Sequence, residues 1–252
     1  MKVSIITVTY NCKIDLKETI KSVEMQNYKN IEHIIIDGGS TDGTLDLIKQ
    51  YSKEDNKVKY ISEKDYGIYD AMNKGINISN GDIIYFLNAK DIFCDEDVIT
   101  KIVDVFQTTQ SEIVYGNIII NGKEVKKVKH DNSIKKQIIM KGICHQSIFF
   151  KKQSFDRIGN FDIKYKISAD YDFIIRAFIN KLVFKYKDID IAIYDENGVS
   201  SNINNHKKAI IEYKNIINKN CNKTNKILPN MRYFYMMIKY YFRKRKLCCN
   251  EK

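Results

Sequence analysis

The chain has 252 residues, 44% of them apolar, with a formal net charge of +11 and a pI near 9.1. That apolar content suits a globular chain with a sizeable core, and no window approaches the roughly 18 apolar residues of a spanning helix. The basic excess admits polyanionic partners, but Lys, Ile and Asn are abundant throughout, so it reads as compositional bias rather than a nucleic-acid face.

Residues 3–8 predict a first buried strand rather than a signal peptide, because the short apolar stretch carries no small-residue cleavage site. A helix over 14–25, capped near Asn11, follows. The strand 32–37 ends in Asp37 and passes through Gly38-Gly39-Ser40-Thr41-Asp42-Gly43-Thr44 into a helix over 44–51. A strand at 58–61, a helix at 68–78 and a strand at 82–87 continue the alternation, which implies βαβ units and a parallel sheet.

A helix over 95–107 and a hairpin about Asn121-Gly122 end the parallel pattern. Residues 145–195 mix short strands (147–150, 183–186, 190–194) with a helix over 169–180. With no linker or internal repeat, residues 1–202 read as one α/β domain, a nucleotide-binding half over 1–94 and a more irregular acceptor half over 95–202. Residues 203–252 form a helical extension, with Pro229 in a loop before a segment, 231–246, in which aromatic and basic residues interleave. Such a helix can lie on an anionic bilayer surface or pack its aromatics on the domain; composition supports both equally. Cys12, Cys94, Cys144, Cys221, Cys248 and Cys249 form no C-x-x-C pair and have no histidine at zinc-finger spacing, which fits a reduced, cytoplasmic setting.

Polar residues gather where strands end: Thr9, Tyr10 and Asn11 after the first, Asp37 after the second, Glu63 and Asp65 after the third, Asn88 and Asp91 after Leu87. The carboxyl edge of a parallel sheet is where ligands bind, and so many chemical residues in register outweigh the reading of each as an ordinary turn residue.

The Thr9-Tyr10-Asn11 end, Asp37 to Thr44, Glu63 to Gly75 and Phe86-Leu87-Asn88-Ala89-Lys90-Asp91 resemble the family 2 glycosyltransferases of the GT-A fold. Among them the chain is most similar to bacterial enzymes that build colanic acid and O-antigen repeats. His145 to Phe150, Ser168-Ala169-Asp170-Tyr171 and Gly198-Val199-Ser200 extend the resemblance over about residues 1–202. It implies a single, mostly parallel Rossmann-like sheet flanked by helices. The implied reaction is inverting transfer from a nucleotide-sugar to a glycan or lipid-linked acceptor, with Mg²⁺ or Mn²⁺ and a peripheral place on the inner membrane face.

Under that resemblance Tyr10 packs on the base and Asp37 accepts hydrogen bonds from a base N–H or a ribose hydroxyl, since a carboxylate has no donors and repels phosphate. The metal-binding element matches Asn88-Ala89-Lys90-Asp91, where Lys90 stands in place of a common second acid, leaving Asp91 as the carboxylate ligand and Lys90 as a phosphate contact or an exposed turn residue. Asp170 is the expected base; Asp172, about 200° away on the same helix, is then solvated or salt-bridged. Asp65, Asp70 and Asn73 are candidates for donor contact, and His145, Gln146 and His206 for the diphosphate or the acceptor side. Two rivals remain. A sugar nucleotidyltransferase wants a basic Gly-rich loop after the first strand, which Thr9-Tyr10-Asn11-Cys12 is not; a non-catalytic nucleotide- or RNA-binding module is favoured by the net charge and Lys90.

Overall fold

β1 (Val3–Thr9) is buried along its whole length, as a β-branched run without alternation requires of a strand covered on both faces. The structure, a computed structural model, describes residues 1–122, 124–138, 142–195, 203–220 and 227–250. Following β1 come α1 (Lys13–Glu24), β2 (Ile31–Asp37), α2 (Thr44–Glu54), β3 (Val58–Ser62), α3 (Ile68–Ile78) and β4 (Ile83–Phe86), each within a few residues of its expected position. The strands are parallel in the order β3, β2, β1, β4. Apolar residues of α1 and α2 (Leu16, Ile20, Ile48, Tyr51) close on Ile35 and Val58 on one face. Met72 and Ile76 of α3 meet Ile6, Ile34 and Ile36 on the other. The register sets Thr9 beside Asp37 and Asp37 beside Ser62, so the strands finish level.

β5 (Ile92–Phe93), α4 (Val98–Thr108), β6 (Ile113–Asn121), β7 (Lys126–Val128), α5 (Ile134–Lys136), β8 (Ile148–Lys151), α6 (Lys152–Ile158), α7 (Ala169–Ile179) and β9 (Phe184–Asp195) follow. They continue the same sheet in the order β4, β8, β6, β9, β5, with β7 on β6. β8 runs antiparallel to both neighbours and β9 parallel to β6, so the sheet is mixed, and only its first half is parallel throughout. The expected hairpin is β6–β7. The two strands expected at 183–186 and 190–194 are one, β9, because a register shift at Gly116 of β6 absorbs the irregularity. A Cβ at Gly116 would overlap the Ile189 carbonyl, so the close approach requires glycine there. Phe86, Phe150, Phe155, Phe161 and Phe173 interlock between the sheet and helices α6 and α7. α6 was not anticipated; seven residues between β8 and Gly159 are too few for periodicity to register.

α8 (Ile203–Asn220) buries Tyr213, Ile216 and Ile217 in the main core, and Tyr213 stacks on Tyr171 at 5.0 Å. α9 (Ile227–Asn250) takes in Pro229, expected in a loop, because the first helical turn has no use for the missing N–H. Tyr233, Met236 and Tyr240 face the body, while Met231, Phe234, Tyr235, Ile238 and Tyr241 make an exposed stripe. Among the described residues no helix is long and apolar enough to cross a membrane.

Two buried groups at the start of β2 make the fold acid-sensitive. Burial pushes the Glu32 carboxyl up, but bonds from Ser4, the Asn80 N–H, Lys2 and Lys59 outweigh it and hold it down at about 2. Burial keeps His33 neutral, down at about 3, between Thr7 and Tyr51. Both folded values lie below the unfolded ones, so each contribution is complete above the unfolded value and fades as pH falls through the folded one. Stability should therefore drop by about 1.4 kcal/mol per pH unit for each group in its window, between 6.5 and 3 for His33 and between 4.5 and 2 for Glu32. Urea melts at stepped pH check this, and Glu32→Gln should flatten the lower limb only.

Candidate active site

The level strand ends of β3, β2 and β1 present Ser62, Asp37 and Thr9, and the turn after β4 brings Asn88 alongside through the bond from the Ala89 N–H to the Val8 carbonyl. Asp37 is 0% exposed. Its oxygens accept from the Ser40 N–H and hydroxyl and from the Ser62 hydroxyl at 2.6 Å. It thus organises the turn wall, with Ser40 and Ser62 between it and the surface. Tyr10, at 64% exposed, is no core aromatic; its ring lies across Gly38, where a Cβ would come within 2.8 Å of Asp65 and 3.3 Å of Tyr10. An open aromatic face beside a carboxylate is a niche that suits a base and its ribose. Asn11, with φ of 47°, accepts from the Thr41 N–H at 2.8 Å and locks the first turn to the second. The helix cap expected at Asn11 falls one residue later, at Cys12, with no side-chain bond to the helix backbone.

The next turn carries Asn88, Lys90 and Asp91. It is tight, the Asp91 N–H donating to the Asn88 carbonyl at 3.0 Å, and Lys90 adopts a φ of 88° that side chains rarely take. Thr19 of α1 pins it through the Lys90 N–H and the Asp91 carbonyl. The Lys90 ammonium lies 3.3 Å from Asp15 of α1. Asp91 is nearly buried and accepts from the Gln146 amide at 3.2 Å. Burial, with Asp170 nearby, pushes the Cys144 thiol up to about 12, so it acts as a neutral donor to the Gln146 carbonyl oxygen and turns the amide nitrogen toward Asp91. Gln146, expected at the diphosphate or acceptor, here spends its amide on Cys144 and on the Asp91 carboxylate. Asn88 Oδ1 is buried with no hydrogen-bond partner, as is Thr9 Oγ1. Among the described residues no group of three or more His, Cys, Asp or Glu is placed to hold a metal. The orphaned Asn88 oxygen and the Asp91 carboxylate are hard donors that fit a divalent ion taking its other ligands from a diphosphate and water.

Asn88 Nδ2 donates to His145 Nε2 at 2.9 Å, which leaves the imidazole proton on Nδ1, 3.4 Å from Asp170 Oδ2. The second oxygen of Asp170 accepts from the Tyr171 N–H at 2.8 Å and lies 3.0 Å from the Tyr69 hydroxyl, whose proton it shares with the Ile167 carbonyl. Burial, and then the Asp170 charge, push the Tyr69 phenol well above its ordinary value, so it stays a neutral donor. A carboxylate offers about four acceptor positions, and these partners leave room for one more. Asp170 opens on a cavity of about 330 Å³ whose walls include Ser168, Tyr171 and Tyr213. Asp172 is buried on the other side of α7, paired with Arg176 at 2.7 Å and bonded by Asn220. It is salt-bridged as one of its two expected states, not solvated.

The remaining candidates are spread along α3 and α8. Asn73 spends both ends of its amide on the Phe161 backbone, at 2.9 and 3.1 Å, and joins α3 to the segment between α6 and α7. Asp70 accepts from the Tyr66 N–H, Asp65 from the Gly67 N–H, and Glu63 pairs with Lys74 at 2.8 Å. His206 stands in the first turn of α8, one and two turns from Ala209 and Tyr213 of the cavity wall. Gly198-Val199-Ser200 lies outside the described residues. Sequence reasoning missed Ser62, Tyr69, Cys144 and Thr19 because their roles are contacts between distant segments; only the placing of Ser62 at a strand end could have pointed to it.

Residues 4–184 match the family model described as Glycosyl transferase family 2. A "PGL/p-HBAD biosynthesis glycosyltransferase" of Mycobacterium bovis is 32% identical over 202 residues, 79% of this chain and 78% of the relative. In structure the chain is similar to S. aureus TarS 1–349 solved with UDP-GlcNAc, at a TM-score of 0.71 and 17% identity over 92% of this chain and 71% of that one. It is also similar to the mannosyltransferase PcManGT of Pyrobaculum calidifontis solved with GDP-Man and Mn²⁺, at a TM-score of 0.73 and 15% identity over 95% and 70%. These likenesses in structure bear on the fold, an α/β sheet flanked by helices.

Proposed function

The chain belongs to glycosyl transferase family 2, and from that membership we propose inverting transfer of a sugar from a nucleotide-sugar to a hydroxyl of a glycan or lipid-linked acceptor. The setting we propose is bacterial surface polysaccharide synthesis of the colanic acid and O-antigen kind. The observation that carries the reaction is the row Asn88, His145, Asp170, in which the Asn88 amide bonds the imidazole and the imidazole lies 3.4 Å from the Asp170 carboxylate.

In this reading Tyr10 and Asp65 receive the nucleoside, with Asp37 setting Ser40 and Ser62 behind it. Asp91 and Asn88 Oδ1 would hold Mg²⁺ or Mn²⁺, which when bound neutralises charge growing on the departing diphosphate. Gln146 keeps Asp91 turned to that task. Asp170 takes the proton of the attacking hydroxyl, and one base on the face opposite the diphosphate is what inversion needs. His145 and Tyr69 hold its oxygens so that the open position faces the acceptor. The two solved relatives with UDP-GlcNAc and with GDP-Man and Mn²⁺ support the donor class and the metal.

α9 supports a peripheral place on the cytoplasmic membrane face: its exposed apolar stripe precedes Arg243-Lys244-Arg245-Lys246 on one helix. Phe234→Asp should weaken binding to phosphatidylglycerol vesicles at least severalfold in a flotation assay and lower the weak binding to neutral vesicles as well.

Thermal melts with UDP-, GDP- and dTDP-sugars, with and without Mn²⁺, test the donor assignment. One nucleotide class should raise the melting temperature in a Mn²⁺-dependent way. No shift with any of them would remove the reading. A metal-independent shift without hydrolysis of the donor would favour the binding module.

A further inference from the structure

The cavity beside Asp170 is walled mainly by apolar and aromatic side chains. We propose that it receives the apolar aglycone of the acceptor, so that the hydroxyl glycosylated belongs to a lipid-linked, glycolipid-type molecule. The inference rests on the transferase reading for the role of Asp170.

The cavity measures about 330 Å³, at the small end for a ligand pocket. Its walls are built from Ile118 and Ile120 of β6, Val128 of β7, Ile143 and Met236 of α9, interrupted by His130 and Ser168. Asp170 is the only carboxylate among the described lining residues, and that lining contains no Asn, Gln or Lys. Each sugar hydroxyl withdrawn from water needs partners of both kinds, and leaving them unmade is costly. An apolar group meets no such cost, and each methylene it buries strengthens binding about fourfold.

The aromatic walls present rings. The Tyr171 hydroxyl donates to the Ile138 carbonyl at 3.1 Å and the Tyr213 hydroxyl to the Pro229 carbonyl at 3.3 Å. The Arg232 guanidinium lies over both rings, 5.7 and 5.1 Å from their centres, and also donates to the Ile138 carbonyl at 2.9 Å. It clamps α9 onto the wall. Ala209, Tyr213, Arg232 and Met236 all come after residue 184, where the family match ends. This wall is therefore supplied by the part of the chain outside that match, where a specificity of its own would reside.

The test compares n-octyl β-D-glucoside, below its micelle threshold, with methyl β-D-glucoside on the full chain. Binding is followed by methionine-methyl NMR, with Met236 identified by Met236→Leu. The octyl glycoside should bind more than tenfold tighter and move the Met236 resonance. Ala209→Phe, which fills the cavity from α8, should abolish that preference at an unchanged melting temperature; Val128→Asn, at the half-buried end of β7, serves if the bulkier variant does not fold. Equal affinity for the two glycosides, or octyl binding indifferent to both substitutions, overturns the proposal. EDTA-sensitive donor hydrolysis on the same preparation bears separately on the transferase reading: with hydrolysis intact and no octyl preference, only the subsite falls. Octyl preference without any donor hydrolysis would remove Asp170 as base and the acceptor assignment with it.

Discussion

Asp170→Asn should lower sugar transfer about 10³-fold while leaving the Mn²⁺-dependent melting shift with donor in place. The amide keeps the shape and one acceptor oxygen, so the contacts from Tyr69 and the Tyr171 N–H can persist, while its NH2 faces the His145 Nδ1–H and that contact is lost. What it loses is the ability to take a proton. Steady-state kinetics should then show the loss in kcat, with KM for donor little changed. Asp172→Asn is the control two residues away and should do the opposite. Asp172 is buried against Arg176, and removing one charge of a buried pair costs about 3 kcal/mol. Its kcat should stay near that of the parent at a temperature where it remains folded, and its urea midpoint should fall. Equal loss of kcat in both would put the base elsewhere.

Asp91→Ala should be the second large effect, again about 10³-fold in kcat, the equivalent of about 4 kcal/mol of charge stabilisation. The same substitution should remove the Mn²⁺ dependence of donor binding in thermal melts, which a general loss of packing would not do. Gln146→Leu should give a milder version, because it removes the donor at 3.2 Å that orients Asp91 but keeps the carboxylate. Manganese titration of kcat should show a raised metal requirement in Gln146→Leu at a nearly normal ceiling. If Asp91→Ala retains full Mn²⁺ dependence, the Asn88 to Asp91 turn is not the metal element.

Much of this arrangement can be traced to the sequence for a local reason. An apolar run such as Ile34-Ile35-Ile36 that stops at Asp37 and meets glycines can only be a buried strand running into a turn, and both neighbours share that register. The positions of Asp37, Asn88 and Asp91 at one sheet edge follow. The use of each side chain does not. Asp37 and Asn73 were expected at the donor, yet one is enclosed by serines from two turns and the other is bonded to Phe161. Their partners lie up to 88 residues away, beyond any periodicity.

By itself the sequence determined the alternation of strands and helices, the level strand ends, the family and the short set of acids from which a base and a metal ligand can be drawn. These depend on backbone propensity and on patterns within a few residues. Only the tertiary structure decided that antiparallel pairs enter the second half of the sheet, that His145 stands between Asn88 and Asp170, and that α8 and α9 wall a cavity beside Asp170. Each of those is a contact between segments far apart in the chain, selected by packing and by the need to partner buried polar atoms.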